Sequence, residues 1–277
     1  MAQILDGKVV AQKIKDELKS VCAEKDIKLT IFQVGDNPAS NVYVRNKQKA
    51  CEEVGIKSDI VKLADDDFTR YQLLPKFVAE EDSDGVMVQL PLPEGWDEHF
   101  FLNHIDASKD ADCLTDGALG KFYSSSNPNL APCTAQGIID LLDYYEIPIE
   151  GQFAVVVGRS NIVGKPIAHL LTCRNATVMV CHSKTPNLEQ YTKKADILVV
   201  AIGKPKYITA DMVKPGAVVI DVGINRDESG KLCGDVDFEQ VKEVASAITP
   251  VPGGIGPTTV AGLLKNTVKL HNTKQNE

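Results

Sequence analysis

The run Val155-Val156-Val157-Gly158-Arg159-Ser160-Asn161-Ile162-Val163-Gly164-Lys165-Pro166 is apolar at first, breaks at a glycine turn and reopens as a helix. Where a buried parallel strand stops at Gly158, the next backbone N–H groups and the positive end of the following helix point at one spot, and an anion there is stabilised. A nucleotide cofactor is the natural occupant, although strand-glycine-helix turns also occur where nothing binds. The glycines at 158 and 164 depart from G-x-G-x-x-G, with Arg159 and Ser160 near where a second glycine would help.

In such a site an acidic residue about 20 positions on, at the end of the second strand, accepts hydrogen bonds from the ribose. Here that strand ends Val180-Cys181-His182-Ser183-Lys184, without a carboxylate. Arg159, Ser183 and Lys184 would complement a 2′-phosphate instead, which points to NADP over NAD. The competing readings are a solvated Arg159 and a helix-capping Ser183. His182, alone at a strand end, reads as hydrogen-bonded structure. Tyr43 and Lys47, four apart on a helix, share one face. Burying an ammonium beside an aromatic disfavours its charged form and suits acid–base work, although most such lysines are simply exposed.

The elements that must position these groups alternate. A stripe of Val9, Val10, Ile14, Leu18 and Val21 predicts a helix over 8–25, followed by a strand over 28–34, a helix over 40–53 and a strand over 56–61. A helix over 68–80 and a strand over 85–90 complete the first half. Residues 91–132 are rich in Pro, Gly, Asn, Ser and Asp and read as long loops, before a helix over 137–145. Strands at 153–157, 177–181, 197–202, 218–222 and 247–249 then predict a doubly wound parallel sheet of Rossmann type, and a helix over 260–270 returns to the first domain. The expected class is α/β with two domains, 1–139 plus 260–277 and 140–259.

With 277 residues, 43% of them hydrophobic, the chain can bury a large core. Its net charge of −8 and lack of basic clusters argue against nucleic acid. Cysteines at 22, 51, 113, 133, 173, 181 and 233 form no C-x-x-C pair and have no histidine at metal-ligand spacing, so they read as free thiols in a reducing compartment, with no metal expected. The start of the chain lacks a basic n-region with an apolar core. No apolar run approaches the roughly 20 residues of a membrane span, and a cytoplasmic location is expected.

Several blocks in shared order carry a resemblance over essentially the whole length. They are Val34-Gly35-Asp36-Asn37-Pro38-Ala39-Ser40 leading to Tyr43 and Lys47, Val88-Gln89-Leu90-Pro91-Leu92-Pro93, Lys109-Asp110-Ala111-Asp112, Pro132-Cys133-Thr134, the turn 158–166, and Thr249-Pro250-Val251-Pro252-Gly253-Gly254-Ile255-Gly256-Pro257. The chain resembles the bifunctional methylenetetrahydrofolate dehydrogenase/cyclohydrolase family. The resemblance implies NADP-dependent oxidation of 5,10-methylenetetrahydrofolate to the methenyl cation and hydrolysis of that cation to 10-formyltetrahydrofolate. It places the enzyme in one-carbon metabolism serving purine biosynthesis, as a homodimer formed through the cofactor domains.

By the same resemblance Lys47 supports the hydrolytic proton transfers, Gln89 orients it, Tyr43 packs on the folate and Asp112 holds the pterin ring. Leu90, Pro91, Pro252, Gly253 and Gly254 line the substrate site. Gly158, Arg159, Ser160, Gly164, Pro166 and Ser183 serve the cofactor, with Ile224, whose family counterpart contacts it through its backbone. The chain departs from the family at Cys113, where glycine is usual, at Ala118, where asparagine is usual, and at Ala135-Gln136, where Pro-Lys is usual. A dehydrogenase that has lost hydrolysis would accumulate the methenyl product. A non-catalytic NADP-binding protein on this fold would bind without turnover.

Overall fold

The computed structural model describes residues 1–73 and 82–275. Its contacts divide the chain into two units, Met1–Gln12 with Thr134–Thr259 and Lys13–Cys133 with Val260–Glu277. In chain order the first elements are β1 (Gln3–Ile4), α1 (Gly7–Cys22), β2 (Lys28–Val34), α2 (Pro38–Val54), β3 (Lys57–Leu63), a π-type turn (Thr69–Leu73), β4 (Gly85–Val88), α3 (Glu98–Leu102), α4 (Asp116–Ser124) and α5 (Cys133–Tyr144). There follow β5 (Phe153–Val157), α6 (Gly164–Cys173), β6 (Thr177–Cys181), α7 (Glu189–Thr192), β7 (Ile197–Val200), a 3-10 turn (Ala210–Met212) and β8 (Val218–Asp221). The last are β9 (Asn225–Arg226), β10 (Leu232–Cys233), α8 (Phe238–Val241), β11 (Ala247–Ile248) and α9 (Ile255–Lys274).

In the unit around β2 the sheet order is β3-β2-β4, all parallel, with Phe32 opposite both Val61 and Val88. The central strand is buried nearly throughout, so it reads as a continuous apolar run rather than an alternation. Its buried Thr30 hydroxyl shares a 2.7 Å hydrogen bond with that of Ser83. Local chemistry delimits α2 at both ends. Asn37 accepts from the N–H groups of Ala39 and Ser40, Pro38 occupies the first turn, and Gly55 closes the helix at φ 86.

The other unit holds a six-stranded sheet in the order β1-β11-β8-β7-β5-β6, parallel at every pairing. From β5 the chain winds one way to β6 and the other way to β7, so the sheet is doubly wound and its order reverses at β5. Val155, Leu198 and Val219 form part of its core, and β9 and β10 make a separate antiparallel ribbon. No helix among the described residues is long and apolar enough to cross a membrane.

The structure revises three local expectations. The buried face of α1 is Val10, Ile14, Leu18 and Cys22, at steps of four, while Val9 and Val21 are exposed. Of the helix expected over 68–80, a π-type turn stands at Thr69–Leu73, and residues 74–81 lie outside the described residues. The first 12 residues group with the six-stranded sheet rather than with 13–133, because β1 pairs with β11 and the Leu5 N–H donates to the Ile248 carbonyl at 2.9 Å. That pairing joins residues far apart in sequence, which local periodicity does not register.

Leu5 is fully buried, and truncating such a leucine to alanine costs about 2–5 kcal/mol. Leu5→Ala should therefore accelerate amide hydrogen exchange in β11 and β8 and leave β2 and β4 unchanged. Equal acceleration in β2 would mean that the N-terminal segment belongs with the other sheet after all.

Candidate functional site

Lys47 leaves α2 on the face that also carries Tyr43, one turn earlier. Its side chain is buried, whereas Tyr43 is 36% exposed, so the pair presents an aromatic surface to solvent and an ammonium below it. Partial burial pushes the Tyr43 hydroxyl above its ordinary range. The Lys47 Nζ donates to Gln89 Oε1 at 3.0 Å and lies 3.4 Å from the Met87 sulfur. Among the described residues no carboxylate pairs with it. Gln89 in turn donates from Nε2 to the Leu90 carbonyl at 2.6 Å, which settles which end of its amide faces the lysine. Gln89 follows β4, and its own N–H continues the ladder to the Phe32 carbonyl at 2.8 Å. The Leu90–Pro91 peptide bond is cis. A hydrogen bond to a charged group contributes about 1.5–3 kcal/mol, so losing the Gln89 acceptor would leave the ammonium on a thioether alone.

Asp112 belongs to the same unit, in a turn that other residues hold. Asp110, fully buried, accepts the N–H groups of Leu114 and Thr115 on Oδ2, both at 2.7 Å, while its Oδ1 has no partner. Burial pushes the Asp110 carboxyl up to about 6, against the pull of those donors. Cys113, where the family usually has glycine, stands at φ 57 and is fully buried. The backbone there takes the left-handed conformation that glycine adopts without strain. From α9, the Asn266 amide donates to the carbonyls of Ala111 and Ala131, each at 2.9 Å. The Cys133 thiol lies under this turn, and burial pushes it well up, with the adjacent Asp112 carboxylate acting in the same direction. Lys47 acts on that sulfur in the opposite direction to Asp112.

The other expected residues lie in the other unit, along the carboxyl ends of its strands. Gly158 stands at φ 131, and a side-chain carbon there would lie 2.3 Å from the Ala201 carbonyl oxygen. The turn therefore passes hard against the end of β7. Among the described residues no protein acceptor takes the N–H groups of Arg159 and Ser160, while the Ser160 hydroxyl accepts from Val163 at 3.1 Å and opens α6. Gly164 and Pro166 are in the first turn of α6, where proline's missing N–H costs nothing. Free donors on the turn that leads into a helix make an anion cradle, so these residues fit a dinucleotide phosphate. Val157 pairs with Cys181 in the ladder, which sets Arg159 and Ser183 each two residues beyond a matched pair of strand ends. Both are exposed. Ser183 does not cap a helix, since α7 begins at Glu189. His182 is structural, its Nδ1 accepting from the Lys184 N–H at 3.2 Å.

Ile224, 52% exposed, follows β8. Pro252, Gly253 and Gly254 form a turn after β11, entered through a cis Val251–Pro252 bond, and the Gly253 carbonyl accepts the Gly7 N–H at 2.9 Å. The expected substrate residues are therefore split, with Tyr43, Lys47, Gln89, Leu90, Pro91 and Asp112 in one unit and the 252–254 turn in the other. Sequence reasoning assigned no role to Asp110, Asp221, Asp235 or Asn266. Asp110 lay inside a quoted motif, and its pairing with backbone N–H groups has no spacing signal.

A family model described as the tetrahydrofolate dehydrogenase/cyclohydrolase catalytic domain matches residues 5–112, and one for the NAD(P)-binding domain of the same family matches residues 132–275. The bifunctional protein FolD of Agathobacter rectalis is 51% identical over 276 residues, covering 97% of this chain and 99% of its own. The crystal structure of the bifunctional FolD methylenetetrahydrofolate dehydrogenase/cyclohydrolase from Campylobacter jejuni is 45% identical with a TM-score of 0.92, covering 99% of this chain and 100% of that one. The FolD of Trypanosoma brucei, solved with NADP cofactor and an inhibitor, is 36% identical with a TM-score of 0.92, covering 100% of this chain and 99% of that one.

A carboxyl whose folded-state pKa lies above its unfolded value keeps its proton longer when folded. Its contribution therefore makes stability fall as pH rises from about 4 through the folded value, given as about 6 for Asp110. Asp110→Asn retains an oxygen for Leu114 and Thr115 but cannot ionise. Urea midpoints measured near pH 5 and near pH 8 should fall less for the variant than for the wild type, and equal falls would show that Asp110 does not titrate in this window.

Proposed function

Because the chain belongs to the tetrahydrofolate dehydrogenase/cyclohydrolase family, we infer that it is a bifunctional enzyme of one-carbon metabolism. It oxidises 5,10-methylenetetrahydrofolate to 5,10-methenyltetrahydrofolate with NADP and hydrolyses the product to 10-formyltetrahydrofolate. The observation that carries the hydrolytic half is the buried Lys47 amine, held by an uncharged amide oxygen at 3.0 Å and, among the described residues, by no carboxylate. A dehydrogenase alone has no need of such a group.

The oxidation asks mainly for alignment. Hydride leaves the one-carbon bridge as a neighbouring folate nitrogen lone pair stabilises the resulting cation, and NADP supplies the acceptor for that hydride. The protein contributes orientation: Tyr43 offers a ring face for the folate and Asp112 accepts donors from its aminopyrimidine edge. Phosphate is held by the N–H groups after Gly158 and the start of α6. Arg159 and Ser183 take the 2′-phosphate, with no carboxylate at that strand end to repel it. Ile224 meets the cofactor through its backbone, and Pro252, Gly253 and Gly254 bring main chain to the substrate.

Hydrolysis asks for proton transfer. Water adds to the methenyl carbon and loses two protons as the carbonyl forms, one returning to the departing ring nitrogen and the other going to solvent. Lys47 is the group placed to relay them. A cationic substrate disfavours a second positive charge nearby, so an amine can accept a proton from water and give it back, and Gln89 holds it without adding a counter-charge. A carboxylate in place of Gln89 would lock the lysine as an ammonium.

We also read the protein as cytoplasmic, as feeding formyl groups to purine biosynthesis, and as a homodimer. The seven free cysteines support the first reading. The third is supported by β6, an edge strand that leaves Val180 39% exposed in the cofactor-binding unit.

The enzyme mixed with 5,10-methylenetetrahydrofolate and NADP should yield NADPH without lasting methenyl absorbance, measured against enzyme-free hydrolysis. Stoichiometric methenyl accumulation would identify a dehydrogenase alone, and absence of NADPH with NAD also inert would identify a non-catalytic protein. Lys47→Ala should fold and bind NADP as the wild type does, yet lose about 100-fold or more in hydrolysis. Hydrolysis at the wild-type rate in that variant would remove Lys47 from the mechanism.

A further inference from the structure

Two buried carboxylates stand beside the carboxyl ends of β7 and β8 with no assigned task. Asp235 is fully buried, and its Oδ2 accepts the N–H groups of Ile202 and Gly203 at 2.6 and 3.1 Å. Its Oδ1 accepts the Lys204 N–H at 2.7 Å and the Asn225 side-chain amide at 2.8 Å. Asp221, 3% exposed, accepts the N–H groups of Gly223, Asp235 and Val236, each at 2.9 Å. Gly234 admits this packing, since a side-chain carbon there would lie 1.8 Å from Asp221 Oδ2.

The consequence falls on two loops. Residues 202–204 continue from Ala201, whose carbonyl bounds the Gly158 turn. Ile224 is pinned on both sides, Gly223 being bonded to Asp221 and Asn225 to Asp235, while its own side chain is exposed. An exposed apolar residue on an immobilised backbone is what a ligand-contacting segment requires. These loops also end strands beside the point where the sheet order reverses, where nucleotides bind in open parallel sheets.

We propose that Asp235, itself fixed by Asp221, is a positioning residue for NADP binding: it ties the loop after β7 to the loop after β8 and so holds the Ile224 backbone for the cofactor. This rests on the cofactor-site reading given above. Three consecutive N–H groups pointing one way would otherwise form an anion-binding concavity. Asp235 fills it from within, so cofactor phosphate is directed to the Gly158–Gly164 turn.

The sign of the effect separates positioning from charge. Removing a carboxylate near an anionic cofactor tightens binding if only long-range electrostatics act, whereas loss of loop order weakens it. Calorimetric titration of Asp235→Asn with NADP should show Kd raised about tenfold, the scale of a lost charge-assisted hydrogen bond. Its hydrolysis of supplied methenyltetrahydrofolate, assayed without NADP, should stay within about twofold of wild type, since Lys47, Gln89 and Asp112 lie in the other unit. The double variant Asp235→Asn/Asn225→Asp, which exchanges donor and acceptor across the 2.8 Å contact, should recover part of the affinity. Asn225→Ala, cutting the tie while leaving both aspartates, should weaken NADP about threefold or more and decides the matter if Asp235→Asn does not fold. Unchanged or tighter NADP binding in folded variants would overturn the proposal, as would equal loss of both activities together with thermal stability. A wild type that binds NADP but turns over no folate would overturn the functional reading instead, and the Kd comparison would still test this one.

Discussion

A backbone N–H withdrawn from water must find an acceptor, and each one left without costs about 1–3 kcal/mol. Parallel sheets concentrate that demand at the carboxyl ends of their strands, where the ladder stops and the chain must turn. This protein meets it with buried carboxylates. Asp110 takes two donors of the turn that follows Asp112, Asp221 takes one after β8 and two after β10, and Asp235 takes three after β7. The loops beyond these strand ends are therefore tied down by side-chain as well as main-chain hydrogen bonds. Among the described residues no protein acceptor takes the Arg159 and Ser160 N–H groups, as an anion-binding turn requires.

Burying those carboxylates has its own cost. Burial pushes Asp110 up to about 6 and Asp221 up to about 7, even though every donor on them pulls the other way. Desolvation of an isolated charge is the larger effect, and the hydrogen bonds return only part of it. Lys47 is the opposite case. Its partner Gln89 is neutral, so the group is held in place by an amide oxygen rather than by a counter-charge. The buried Asp221 and Asp235 carboxylates each accept several backbone donors, whereas Lys47 is held by a neutral amide.

The departures from the family pattern sort on the same grounds. Cys113 keeps the left-handed backbone that glycine would provide, so the turn survives the substitution with a buried thiol in place of a hydrogen. Ala118 and Ala135 are buried in helices, and Gln136 bonds within its own helix to Asp140 at 2.9 Å.

The sequence alone determined the parallel strands, because β-branched runs punctuated by glycine are local, and it determined α2, because Asn37, Pro38 and Gly55 delimit it within one stretch of chain. It also placed Tyr43 and Lys47 on one face, since helical geometry requires that of residues four apart. Motifs in shared order identified the family. Tertiary structure alone decided that the first 12 residues join the six-stranded sheet, that Asn266 reaches back to Ala111 and Ala131, and that Asp221 and Asp235 brace two loops at once. Each of those is a hydrogen bond between segments distant in sequence. Its geometry exists only after the chain has closed the loop between them, so no periodicity or spacing along the chain encodes it.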